Sequence, residues 1–220
     1  MAVPMIRVPA QVAYRTANWD TPLWASPNVN DARFNLRNTG PTQYLALHPL
    51  TAWAEQVRVR ERQLGRSLTP ADLADPGALH RLWLIKIPES QALDLNFDSA
   101  QDVGLDPLDL IDDSHMACQK AGEKFRLNGT FPKVWRYPSA AIPGTYNLVI
   151  FAALRITQFQ REPKGSRWPA SLGAHAGRVP VEVLSLTRHI GGQRANHASY
   201  VAWKAGGEAK FTEPTTFVWP

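Results

Sequence analysis

A mixed α+β fold is predicted by three observations. Several short apolar runs read as strands, only a few stretches with helical period lie between them, and one run, Asn147 to Ile156 (NLVIFAALRI), is apolar enough for the centre of a sheet. In order along the chain, Ala32-Arg33-Phe34-Asn35-Leu36 alternates like a short strand and ends in the turn-forming Asn38-Thr39-Gly40-Pro41. Tyr44-Leu45-Ala46-Leu47 reads as a second, buried strand. Pro49 suits the first turn of a helix that runs through about Gln63, with Leu50, Trp53, Ala54 and Val57 forming one apolar stripe and Glu55 off it.

Thr69-Pro70-Ala71-Asp72 looks like an N-cap followed by proline, opening a short helix that Pro76-Gly77 closes. His80 to Pro88 (HRLWLIKIP) predicts a strand buried on most of both faces. A helix should follow Asp112-Asp113-Ser114, run to about Leu127 and stop at Asn128-Gly129. Phe131 to Tyr137 and the apolar run after Asn147 return as strands, residues Arg161 to Gly177 form a long loop, and Val179 to Leu186 is a further strand. Tyr200 to Trp203 and Thr215 to Trp219 are candidate sheet edges.

The 220 residues suffice for one sizeable core and contain no linker-like stretch, so a single domain over 1–220 is expected. The single cysteine, Cys118, excludes an internal disulfide and a cysteine-based zinc cage, and reads as a buried apolar filler. The first fifteen residues lack the apolar segment of a signal peptide and no run is long enough for a membrane helix, which points to the cytoplasm and to no membrane association. Lys and Arg exceed Asp and Glu by 5, so the surface should attract polyanions. The densest basic group, Arg58, Arg60, Arg62 and Arg66, is most simply a solvated helix end favoured by the dipole.

The chemistry concentrates in three residues spaced eleven apart: Arg33, Tyr44 and Glu55. A cation, an aromatic hydroxyl and a carboxylate within one strand-loop-helix stretch are the groups needed to hold an anionic nucleotide and cleave its glycosidic bond. Each has a plainer reading. Glu55 with Arg58 three residues on can be a surface pair, Tyr44 a core residue, and Arg33 a surface cation. No dinucleotide-binding glycine fingerprint, no P-loop and no H-E-x-x-H motif occurs, and His189 and His197 are too far apart for a one-turn ligand pair, so no metal site is expected. Asn128-Gly129-Thr130 matches a glycosylation acceptor but is more simply a helix-stopping turn.

The ordered words ARFN, a glycine-containing turn, YLA, TAWAE and, far downstream, WRYPSAAIPGTYNLVIF resemble the RES domain, named for an Arg, a Glu and a Ser. The resemblance covers residues 10–155, with 157–220 as a C-terminal extension of the same domain. Ser139 stands where the family's serine is expected, and Tyr14-Arg15 where the family carries another arginine. Two features depart from the family: Phe151-Ala152-Ala153-Leu154 continues the strand after the serine instead of a polar turn, and the segment between Glu55 and Ser139 is long.

The resemblance implies an ADP-ribosyltransferase-like fold, with split, mostly antiparallel sheets, helices packed outside and a nucleotide cleft where Arg33, Tyr44, Glu55 and Ser139 meet. It implies the toxin half of a toxin–antitoxin pair that consumes NAD as substrate, without a metal, by cleaving its nicotinamide-ribose bond. Arg33 would grip the diphosphate or its neighbouring ribose, and Arg15 would be a second anion clamp. Tyr44 would contact the nicotinamide ribose, Ser139 would orient that ribose or the amide, and Glu55 would stabilise the developing cation or align the nucleophile. The acceptor can be water, phosphate or a protein side chain, the last giving ADP-ribosylation of a target.

The resemblance also implies an antitoxin of the Xre helix-turn-helix type, with nucleic acid contacted only through that partner; the oligomeric state, a homo-oligomer included, stays open. Two other classes compete. A nucleic-acid-binding protein would use the basic balance and the eight tryptophans as stacking platforms, although Trp53 and Trp83 sit among apolar neighbours. A degenerate domain would serve only as an interaction module, against which the intact set of four residues argues.

Overall fold

The computed structural model describes residues 4–17, 26–73, 81–128, 131–152, 183–186 and 196–208. In chain order the elements are β1 (Met5–Val8), β2 (Gln11–Ala17), β3 (Gln43–Ala46), α1 (Pro49–Leu64), α2 (Pro70–Leu73), β4 (Arg81–Ile87), β5 (Ser90–Asp94), α3 (Met116–Leu127), β6 (Val134–Pro138), β7 (Tyr146–Ile150), α4 (Val183–Leu186) and α5 (Ala198–Lys204). Two short 3-10 turns, Ala100–Val103 and Pro107–Leu110, lie between β5 and α3. The fold is mixed α+β, as the sequence predicts.

A bent β-ribbon organises the sheet. The antiparallel register of β1 against β5, starting at Met5↔Leu93, runs on in phase into that of β2 against β4, ending at Ala17↔Arg81. The ladder is interrupted only around Pro9 and Pro88, residues that cannot donate a ladder hydrogen bond and so allow the corner. The strand order is β1-β5-β6-β7-β3-β2-β4, antiparallel throughout except β5 beside β6. Because β1 and β2 are one bent strand and β4 and β5 another, this order closes on itself. Two sheet halves result, sharing the ribbon at one side and meeting at the other through a single pair, Tyr14↔Ala46. The fold opens a cleft at that seam.

Three apolar clusters hold the arrangement. Val8, Ala13, Leu45, Ile85, Ala92 and Leu148 converge from six strands onto the enclosed face. The predicted stripe of α1, Leu50, Trp53, Ala54 and Val57, is buried against Leu82 and Leu84 of β4. Under α3, Trp135 is 1% exposed and meets Phe34, Phe125 and Phe151 edge-on, at centroid distances of 5.5, 5.4 and 4.6 Å. Trp53 and Trp83 are core residues. α1 begins at N-cap His48, whose Nδ1 accepts from the Leu50 amide, and ends at Gly65 with φ 66°.

Several expected elements take another form. Ala32–Leu36 is a tight turn rather than a strand: Ala32 and Asn35 bridge each other at 3.0 and 3.4 Å, so the alternation reflects a turn that buries Phe34. Val183–Leu186, expected within a strand, is a turn of helix whose Val183 joins the cluster under α1. Tyr200–Trp203, expected as a sheet edge, lies in α5, where the three-residue spacing puts Tyr200 and Trp203 against the same ring, Phe97. β7 stops at Ile150, so Phe151 leaves the strand and packs on Trp135 instead of continuing it. β6 starts at Val134, later than Phe131. Asn128 caps α3 with extended backbone; Gly129, Pro76-Gly77, Leu154 to Ile156, the 161–177 loop and Thr215–Trp219 lie outside the described residues.

Candidate active site

A cavity of about 270 Å³ lies at the β2–β3 seam, walled by β2, the 32–35 turn, β3, α1, His115, Tyr137 of β6 and Asn147 of β7. Among the described residues its charged lining consists of four arginines, Arg15, Arg33, Arg58 and Arg62, and one carboxylate, Glu55. Such a wall favours an anion and leaves one negative charge at a defined point.

Glu55 is held from behind. One carboxylate oxygen accepts the Ser139 hydroxyl at 2.7 Å and the Asn147 side-chain amide at 2.8 Å, residues 84 and 92 positions downstream. Ser139 is itself fixed: its Oγ accepts the amides of Ala141 and Ile142, each at 3.1 Å, and its own N–H donates to the Thr145 carbonyl at 2.9 Å. It is 1% exposed and does not line the cavity. Arg33, Tyr44 and Glu55 therefore meet at the cavity wall, while Ser139 stands behind Glu55, outside the lining.

Arg33 is 7% exposed, and its two terminal nitrogens donate to the carbonyls of Asp109 and Asp112 at 3.1 and 3.0 Å. Backbone oxygens orient the guanidinium without neutralising its charge, and the residue lines the cavity. Arg15 donates to Gln43 Oε1 at 2.9 Å; burial lowers its pKa and the nearby Tyr44 opposes that shift. Arg58 is not the surface partner of Glu55 that its spacing suggested. It is buried, donating to Asp113 at 2.6 Å and to the Ile111 carbonyl at 3.3 Å, and its pKa is lowered chiefly by burial and then by Arg33. Arg66, in contrast, pairs with Asp72 at the surface, as a solvated helix end should.

Tyr44 has a structural hydroxyl. It accepts the Phe34 amide at 2.9 Å and donates to Asn35 Oδ1 at 2.8 Å, tying β3 to the turn that carries Arg33. Burial raises its pKa well above the usual phenol range, and the Phe34 amide and Arg33 act against that. Tyr44→Phe should leave the buried Phe34 amide unpaired, costing about 1–3 kcal/mol of stability measured by urea unfolding. Cys118 is buried as expected, its thiol 3.3 Å from the Asp109 carbonyl and pushed up to about 11 by burial.

His115 closes the far wall. Its Nε2 lies 3.3 Å from Arg62 Nη1, and since a guanidinium only donates, the imidazole nitrogen accepts. Burial first, then Arg33, Arg62 and Arg58, push its pKa down to about 3. The unfolded chain takes up this proton near pH 6.5 and the folded chain does not, so stability is complete above that pH and falls as the pH drops towards 3. Thermal midpoints recorded from pH 7 to pH 5 should decline, and His115→Gln should flatten the decline.

Sequence reasoning missed Arg58, Arg62, His115 and Asn147 as wall residues. A signal for the first two existed: Glu55, Arg58 and Arg62 recur at i, i+3 and i+7, a polar stripe flanking the apolar one. Nothing local marked Asn147, whose meaning comes from β7 lying beside β3. Among the described residues no cluster of potential metal ligands occurs and no helix is long and apolar enough to cross a membrane.

Comparison with known proteins agrees with this architecture. A crystal structure of the M. tuberculosis MbcT–MbcA toxin–antitoxin complex contains a chain that superposes with a TM-score of 0.56 at 22% identity, over 75% of this chain and 88% of that one. No curated protein sequence matches. The family model of the RES domain matches residues 5–173, which takes in all the charged wall residues, Asn147 and Ser139. This chain belongs to the RES domain family.

Proposed function

We propose that the cavity binds NAD and that the chain cleaves its nicotinamide-ribose bond, acting as the toxin of a toxin–antitoxin pair. The observation that carries this reading is the single carboxylate, fixed by two hydrogen bonds, set in a wall with four guanidiniums. Heterolysis moves the bonding electron pair onto the nicotinamide nitrogen and leaves an oxocarbenium-like sugar, which Glu55 stabilises through charge. Arg33 and Arg15 hold the diphosphate, and the Tyr44 ring forms part of the ribose wall. Ser139 acts through Glu55, by fixing the carboxylate. At about 270 Å³ the cavity is at the small end of ligand sites, which suits one end of a dinucleotide with the rest lying along the seam.

The partner is a protein antitoxin of the Xre type whose acidic segment covers the basic cavity. The related fold crystallised as a toxin–antitoxin complex supports a protein partner. The experiment is incubation of the purified chain with NAD, with and without phosphate, followed by mass spectrometry. Free nicotinamide supports the reading. ADP-ribose, a phosphorylated ADP-ribose or a mass gain on protein then identifies water, phosphate or a side chain as acceptor. Absence of nicotinamide release overturns it.

A further inference from the structure

The loop Ser139–Thr145 joins β6 to β7 and carries the hydroxyl that fixes Glu55. From the inside it is closed by its own bonds: Ser139 N–H to the Thr145 carbonyl, and the Thr145 amide and hydroxyl to the Ile142 carbonyl. From the outside a second element reaches it. Ser199 Oγ accepts the Gly144 amide at 2.6 Å, and Ser199 is 9% exposed. Gly144 has φ 82°, a left-handed backbone position that suits glycine and leaves its amide turned outward to that hydroxyl.

Ser199 sits in α5, which is anchored elsewhere. Tyr200 and Trp203 pack on Phe97 at 5.7 and 5.6 Å, and Trp203 Nε1 donates to Asp98 at 2.6 Å. Phe97 and Asp98 follow β5, whose Asp94 pairs with Arg136 of β6 at 2.8 Å. The helix thus spans from the β5 end to the β6–β7 loop. It also lies beyond residues 5–173, the span matched by the family model.

We propose that α5 is a brace for the active site, with Ser199 a positioning residue that holds the Ser139 loop through Gly144 and thereby aims Glu55. The kinetic part of this proposal rests on the NAD-cleaving reading; the mechanical part does not. The test compares full-length wild type, Ser199→Ala and Ser199→Thr, each first shown to be folded by circular dichroism. Amide hydrogen exchange across 139–147 should accelerate about tenfold in Ser199→Ala and stay near wild type in Ser199→Thr, which keeps the hydroxyl. Nicotinamide release should show kcat lowered about tenfold in the alanine variant, with KM little changed, and restored by threonine.

Unchanged exchange in Ser199→Ala overturns the brace. So does a threonine variant no better than alanine, or accelerated exchange with undiminished kcat. A wild-type chain silent on NAD overturns the proposed reaction, and the exchange measurement then decides the brace alone.

Discussion

Glu55→Gln should lower kcat for nicotinamide release at least about a hundredfold while leaving the fold intact. The substitution is nearly isosteric, and the glutamine carbonyl can still accept both the Ser139 hydroxyl and the Asn147 amide that the carboxylate accepts. What disappears is the negative charge, the only one among the described residues of a lining that also carries four guanidiniums. Since that charge matters most when the sugar becomes cationic, the loss should fall on kcat rather than on KM. The thermal midpoint should stay within about 2 °C of wild type. A variant that keeps full activity would show that Glu55 does not stabilise the reacting sugar.

Gly122→Ala should damage stability and activity together, against the usual preference of helices. In an exposed helix interior alanine is better than glycine by about 1 kcal/mol. In α3, however, a Cβ at residue 122 would stand 2.2 Å from the Phe34 carbonyl oxygen, a backbone atom that cannot swing aside. Phe34 is held by the Tyr44 hydroxyl and buried against Trp135, so the helix and the turn must separate. Overpacking of this kind costs about 1–3 kcal/mol and should outweigh the propensity gain, lowering the midpoint by about 3–8 °C. Arg33 precedes Phe34, and displacement of its guanidinium by even about 1 Å should cost up to about a hundredfold in kcat/KM. Calorimetry and steady-state kinetics on the same preparation check both.

Much of this was legible in the sequence because it is local. α1, from the proline at its first turn to the apolar stripe, β3, β4, the body of α3 and the central position of β7 follow from period and turn chemistry. Where the local signal was short the reading failed. Ala32–Leu36 alternates over five residues, too few to separate a strand from a turn, and Tyr200–Trp203 is equally brief. β1, β2 and β5 drew no expectation as strands because the ribbon they form with β4 is defined by pairing across 64 to 88 residues.

The site divides the same way. Arg33, Tyr44 and Glu55 sit within one short stretch, so their proximity at one cavity is legible from it. The roles of Ser139, Asn147 and Arg58 depend on which distant segment each one faces, and the plainest reading of Arg58, a solvated helix-end cation, was wrong because Asp113 and Ile111 enclose it.

The two groups that fix Glu55 come from β7 and the loop before it, long after α1 in the chain. During synthesis on the ribosome, α1 and its carboxylate emerge well before either partner exists. A nascent fragment ending before Ser139 therefore carries Glu55 without either of its hydrogen-bond donors, and the carboxylate is fully fixed only once β7 has been translated.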